Sequence, residues 1–164
     1  MDKEKIEKVK SLIRTIPDFP TKGIMFRDLT TAFKNPEGIA IIAEDIEEKY
    51  AHLGVTKVVG IEARGFIGGS ILAHELGAGF VPLRKPGKLP ADTIEIHRDA
   101  ITPDDVVVIH DDLLATGGTM LAAYELVKSM NPKKIYIDFI VELSALEGRK
   151  LFPADVPVNS MIVY

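Results

Sequence analysis

Two adjacent carboxylates followed closely by a glycine-rich turn are the strongest chemical signal in this sequence: Val106-Val107-Val108-Ile109-His110-Asp111-Asp112-Leu113-Leu114-Ala115-Thr116-Gly117-Gly118-Thr119. Glycines let backbone amides come close to an anion, and a helix N-terminus adds a favourable dipole. The threonine hydroxyls add neutral donors. Ala115, Thr116, Gly117, Gly118 and Thr119 are therefore candidates to cradle a phosphate monoester. Ionised Asp111 and Asp112 only accept hydrogen bonds, and they stand about one loop away. They suit the hydroxyls of a pentose carrying that phosphate. A bare Asp-Asp pair is more often a cap or a turn; the apolar run before it and the Thr-Gly-Gly-Thr after it point to a site. The loop lacks the Gly-Lys-Ser/Thr of a nucleoside-triphosphate loop, and Gly65-x-x-Gly68-Gly69 is too loose for a dinucleotide fingerprint.

The elements that would hold these groups can be read from periodicity. Ile6, Val9, Ile13 and Ile16 recur at helical spacing, which predicts a helix over 3–15 ending before Pro17. Ile16–Thr31 reads as a loop or short hairpin. Asn35-Pro36-Glu37 starts a helix with a cap, a first-turn proline and an early acid, and Ile39, Ile42, Ile46 and Tyr50 form its apolar stripe. A short strand around Val58–Ile61 ends at Glu62. A helix over about 66–76 closes at Gly77. Strands are predicted at Phe80–Leu83, Thr93–His97, Val106–Ile109, Ile135–Val141 and Val158–Val163. A helix over Thr116–Met130 buries Met120, Ala123, Tyr124 and Val127, and Ser144-x-x-Glu147 reads as a capping box. Alternating strands and helices predict an α/β fold, a mostly parallel central sheet flanked by helices. Ligands in such folds gather beyond the carboxyl ends of the strands, here after Glu62, Leu83, Ile109 and Val141.

A length of 164 residues suits one domain over 1–164. The net charge of −4 gives no overall basic footprint for nucleic acid, and no partner of that kind is expected. The absence of cysteine excludes a disulfide framework and a thiolate nucleophile or metal site. The charged start MDKEKIEKVK is unlike a secretory leader, and no apolar run approaches the ~20 residues of a membrane span. A cytoplasmic protein is the expectation.

With these motifs in view, the sequence resembles the type I phosphoribosyltransferases, whose signature is an apolar strand, two acids and a Gly-Gly-Thr phosphate loop. Ile16-Pro17-Asp18-Phe19-Pro20, Gly23-Ile24-Met25-Phe26-Arg27-Asp28, Arg64-Gly65-Phe66, Arg84-Lys85-Pro86-Gly87-Lys88-Leu89-Pro90 and Val141-Glu142-Leu143 match the adenine-specific branch in order. The resemblance implies the type I fold and conversion of adenine and 5-phosphoribosyl-1-pyrophosphate (PRPP) to AMP and pyrophosphate. It also implies Mg2+ held mainly by the substrate rather than by direct protein ligands, and a homodimer. About 1–34 would contribute a hood over the base. Phe26 and Leu143 would sandwich the purine, and backbone groups of Met25 and Arg27 would read its edge. Asp111, Asp112 and Arg64 are the implied catalytic residues. Glu62, Ala63, Arg64, Arg84, Lys85 and Lys88 are the implied pyrophosphate ligands, with a cis peptide at Glu62–Ala63.

Two departures stand out. His110 occupies a position the family fills with an apolar residue, usually valine; strand alternation turns it away from its adjacent neighbour Asp111 and favours a structural role. Family members also carry a longer catalytic loop with a Leu-Glu-Tyr-Gly stretch, whereas Leu89-Pro90-Ala91-Asp92-Thr93 runs straight through here. No residue inherits the glutamate of that stretch. Its loss leaves open a catalytically weakened protein that binds a nucleotide or PRPP, and a transferase for another 6-substituted purine is a further alternative.

Overall fold

The computed structural model describes residues 1–19, 21–84 and 95–164, and these form two units, Met1–Glu48 and Lys49–Tyr164. In the first, helix α1 (Lys3–Leu12) starts where the Asp2 carboxylate accepts the Glu4 amide at 3.2 Å. It ends at Leu12, not at 15 as predicted, because Ile13 is already extended and Arg14 opens a strand. Strand β1 (Arg14–Pro17) pairs antiparallel with β2 (Met25–Asp28). Side chains hold this register: Arg14 meets Asp28 at 2.5 Å, and Arg27 donates to the Thr15 hydroxyl. Hydrogen bonds from Thr30, then Arg14, hold the Asp28 carboxyl below its ordinary range. The hairpin alternative for Ile16–Thr31 is thus the one adopted, followed by a single turn, α2 (Thr30–Phe33). Helix α3 (Pro36–Tyr50) begins as read, with Asn35 Oδ1 accepting from the Glu37 and Gly38 amides at 2.9 and 3.2 Å.

The second unit is built on apolar runs that can be buried on both faces only inside a parallel sheet. Its strands are β3 (Lys57–Ile61), β4 (Gly79–Leu83), β5 (Val106–Leu114), β6 (Lys134–Glu142) and β7 (Val158–Val163). They lie in the order β4-β3-β5-β6-β7, and all pairs are parallel. Helix α4 (Gly65–Leu76) links β3 to β4 and ends at Gly77 with φ 61°. Helix α5 (Gly118–Ser129) links β5 to β6. Val59, Ile61, Val107, Ile109, Ile137 and Phe139 pack with Met120, Ala123, Tyr124 and Val127 of α5 as one core. No helix among the described residues is long and apolar enough to cross a membrane.

Three further sequence expectations change. β5 runs to Leu114 rather than Ile109, so Asp111 and Asp112 lie inside the strand and not beyond its end. Asp111 pairs with Phe139, Leu113 with Val141 and Leu114 with Glu142, so the ladder to the apolar β6 carries the chain through the carboxylates. The capping box does not form. Ser144 donates its hydroxyl to the Tyr164 carbonyl at 2.6 Å, and Glu147 pairs with Lys150. Neither side chain is left to cap a helix, and two 3-10 turns, Ser144–Leu146 and Gly148–Leu151, take its place. Of the strand predicted over Thr93–His97, Thr93 and Ile94 lie outside the described residues, and Glu95 forms only an isolated antiparallel bridge to Arg84.

The sheet face turned from α5 carries polar groups in one transverse row: Gly60, His110, Asp138 and Asn159 are in register. The Tyr50 hydroxyl, buried at the end of α3, donates to Asp138 Oδ1 at 2.7 Å and accepts from Asn159 Nδ2 at 3.0 Å. Tyr50→Phe leaves a buried carboxylate oxygen short of a donor. It is expected to lower stability by about 1–3 kcal/mol, read from urea unfolding.

Candidate active site

A cleft of about 310 Å³ opens in the second unit, where β3 and β5 meet the N-termini of α4 and α5. Arg64 is the residue before α4, and its Nε lies 2.9 Å from Asp112 Oδ2; Asp112 is only 2% exposed. The close approach of helix and strand depends on Gly65. A Cβ there would lie 3.0 Å from Asp111 Oδ1 and 3.1 Å from the His110 carbonyl oxygen. The peptide bond Glu62–Ala63 is cis. Glu62 and Ala63 line the same cleft, and the Glu62 amide donates to the Leu83 carbonyl at 2.9 Å.

Asp111 Oδ1 accepts the Asp112 amide at 2.8 Å. Burial, and then the charge of Asp112, push the Asp111 carboxyl up to about 7. Two like charges on adjacent residues cannot both be ionised cheaply away from water. Arg64 offsets one of them, and the other binds a proton more tightly.

The phosphate loop is shorter than the sequence suggested: Ala115, Thr116 and Gly117 alone separate β5 from α5. Gly117 has φ 85° and provides no side-chain cap, so the first amides of α5 have neither an intrahelical acceptor nor a capping group. Thr116, Gly118 and Thr119 are exposed. From behind, Gly148 presses on the loop. A Cβ on Gly117 would lie 2.8 Å from the Gly148 carbonyl oxygen, and a Cβ on Gly148 would lie 2.3 Å from that of Ala115. The turn holding Gly148 is fixed by the next residue. Arg149 donates through Nε to Glu142 Oε1 at 3.1 Å, through Nη2 to Glu142 Oε2, and through Nη1 to the Val158 carbonyl at 2.5 Å. The Arg149 hydrogen bond keeps the Glu142 carboxyl below its ordinary range.

The structure therefore gathers Glu62, Ala63, Arg64, Asp111, Asp112 and Ala115–Thr119 around one cleft. Arg84, at the end of β4, extends to 3.9 Å from Glu62 Oε1. Lys85, Lys88 and the stretch Pro90–Thr93 lie outside the described residues. Leu143 follows β6, half-buried, and its amide donates to the Leu114 carbonyl at 2.9 Å. In the first unit, Met25, Phe26 and Arg27 form most of β2. The Phe26 ring meets Phe19 edge-on at 5.2 Å, and Met25 is 49% exposed. His110 is fully buried with Nδ1 2.9 Å from Asp138 Oδ2, which agrees with a structural role. Among the described residues no group of three or more His, Cys, Asp or Glu could hold a metal ion. Sequence reasoning missed the Gly148–Arg149–Glu142 support. Its signal, a glycine between an acid and an arginine, was hidden by reading Glu147 as a cap.

This geometry coincides with what the chain resembles. The model of the phosphoribosyl transferase domain matches residues 30–157. An adenine phosphoribosyltransferase of Phocaeicola vulgatus is 54% identical over 169 positions, covering 95% of this chain and 97% of the relative. That span exceeds the residues this chain contributes to it, so the relative carries internal residues without a counterpart here. The crystal structure of an adenine phosphoribosyltransferase from Rhodothermus marinus superposes with a TM-score of 0.91 at 45% identity, covering 99% of this chain and all of the other. That of an APRTase from Giardia lamblia complexed with 9-deazaadenine gives 0.88 at 42% identity, covering 97% of each chain. Phosphate loop, paired acids and full-length similarity agree: the chain belongs to the phosphoribosyltransferase family, among the adenine phosphoribosyltransferases.

Proposed function

We infer that the chain performs its family's purine-salvage reaction, converting adenine and PRPP to AMP and pyrophosphate as a pentosyltransferase. The observation that carries this is the single cleft in which the uncapped N-terminus of α5, Asp111–Asp112 and Arg64 converge. The 5-phosphate would sit on the amides and hydroxyls of Ala115–Thr119. The two ribose hydroxyls would donate to Asp111 and Asp112, which also offset the positive charge that builds on the sugar as its bond to pyrophosphate breaks and adenine N9 attacks. The guanidinium of Arg64 would receive the leaving pyrophosphate, with Glu62, Ala63 and Arg84 beside it and Lys85 and Lys88 contributing from the following segment. Most of the rate enhancement on this reading is positioning. The near-full-length similarity to enzymes argues against a purely binding role.

We assign the base to Phe26 and Leu143, with the backbone of Met25 and Arg27 reading its edge. The N-terminal segment over about 1–34 would act as a hood within a single domain. The cleft's charge suits a divalent cation nearby, because Asp111 and Asp112 line it side by side and each raises the cost of the other's charge. Mg2+ carried mainly by the substrate would neutralise pyrophosphate charge, with Asp111 and Asp112 as the carboxylates available to its water shell. A homodimer in the cytoplasm is the assembly and location we propose. The lack of cysteine and of any membrane-length apolar helix among the described residues supports that location.

Adenine-dependent release of pyrophosphate from PRPP tests the reaction, and adenine is expected to outperform hypoxanthine and guanine. Stacking contributes about 1–3 kcal/mol per base, so Phe26→Ala should raise the adenine KM about 5- to 150-fold in the same assay. Gly117→Val forces a β-branched residue to positive φ against the Gly148 carbonyl. It should abolish PRPP binding in calorimetry while circular dichroism stays close to wild type.

Asp111 gives a pH test. Its folded-state carboxyl titrates near 7, above its ordinary value of 3.8, so the folded chain binds the extra proton. That stabilising effect is complete below about 4 and is lost as pH rises through 7. Tm of the unliganded chain should fall across this window relative to Asp111→Asn, while PRPP affinity should rise as Asp111 ionises. Asp111→Asn should remove that component from both profiles and leave only the substrate's own titration.

A further inference from the structure

The polar row beneath the cleft has no part in the chemistry described so far. His110 is fully buried, and its Nδ1 lies 2.9 Å from Asp138 Oδ2, while Tyr50 donates to the other oxygen of Asp138. Facing a carboxylate oxygen, Nδ1 is the donor of this contact. Nε2 is buried and has no hydrogen-bond partner among the described residues. A buried ring nitrogen without a partner is costly, and a hydrocarbon side chain here would avoid the cost. What Nε2 does meet is α4. A Cβ on Gly68 would lie 2.2 Å from it, so the ring fills the space any side chain at 68 would need. One turn earlier Gly65 abuts Asp111 Oδ1 and the His110 carbonyl, and Arg64 immediately precedes it. Two residues past His110, on the same face of β5, Asp112 meets Arg64 at 2.9 Å.

We propose that His110 is a positioning residue for the pyrophosphate end of the reaction. Clamped by Asp138, its ring sets how far the first turns of α4 stand off β5, and thereby where Arg64 lies relative to Asp112. Asp138 is held in turn by Tyr50 and, through it, Asn159, so the spacing is set by a hydrogen-bonded chain crossing three strands and the end of α3. The inference deepens the reaction proposed above by naming a residue that tunes one of its subsites.

The test is a double-mutant cycle between His110→Val and Gly68→Ala, read by calorimetry of magnesium pyrophosphate and, separately, of AMP. The valine removes the ring on which α4 rests, and the alanine drives a methyl into it. Each single variant should weaken pyrophosphate binding by about 10- to 100-fold, as displacement of a binding group by about 1 Å does. AMP affinity, which rests also on the loop opening α5 and on the base contacts proposed above, should fall by much less than pyrophosphate affinity. The double variant, with a smaller side chain facing the new methyl, should recover most of the loss. If His110→Val does not fold, His110→Asn carries the same expectation, since its amide can still donate to Asp138 but is too short to reach Gly68. Loss of thermal stability with unchanged pyrophosphate affinity, equal loss for both ligands, or additive losses in the double variant would each overturn the proposal. A wild-type chain that binds both ligands but does not turn over adenine sinks the reaction reading alone. One that does not bind magnesium pyrophosphate sinks both.

Discussion

The cleft is organised around a repulsion. Asp111 and Asp112 are neighbours in the central strand, Asp112 buried and Asp111 partly so, where water screens their charges only weakly. Arg64 against Asp112 offsets part of that charge, and the raised Asp111 carboxyl binds a proton more readily than an ordinary carboxylate. The rest of the local architecture follows from getting those groups close. Gly65 lets α4 begin against the β5 backbone, and the β5–β6 ladder continues through the acids so that they cannot swing out into solvent.

The same constraint explains why the site lies on rigid elements. Both acids belong to the central strand of the sheet, and the phosphate loop is three residues between that strand and α5. A group that must meet charge developing during reaction gains most when it need not reorganise. The hairpin of the first unit achieves rigidity differently, through the Arg14–Asp28 and Arg27–Thr15 cross-strand pairs.

Much of this was legible in the sequence because apolar runs and glycines have few alternatives. Val107–Ile109 could only be a buried strand, Gly77 closes α4 as read, and the face of Met120, Ala123, Tyr124 and Val127 is the one buried. The misreadings share one cause: local signals were overruled by partners distant in sequence. The first helix stops early because Arg14 is claimed by Asp28, and β5 runs long because β6 supplies a ladder beside it. The capping box fails because Tyr164, twenty residues on, takes the Ser144 hydroxyl. The support from Gly148 was invisible for the same reason, since nothing near residue 148 mentions the loop it touches. Of the predicted site, the residues in the strand–loop–helix units are found together. The assignments to Lys85 and Lys88 fall outside the described residues.

The interlocked glycines have a consequence for redesign. Gly117 belongs to the loop between β5 and α5, and Gly148 to the segment that leaves Leu143; a side chain on Gly117 would meet the Gly148 carbonyl, and one on Gly148 would meet the Ala115 carbonyl of the same loop. The two segments therefore form one mechanical part. Grafting a foreign loop into 143–151 would also reshape the loop Ala115–Gly117 unless a residue without a Cβ stays at 148 and Arg149 keeps its grip on Glu142. The loop after β5 and the segment after β6 are coupled here by steric contact, and a library that varies one segment alone will sample mostly distorted loops.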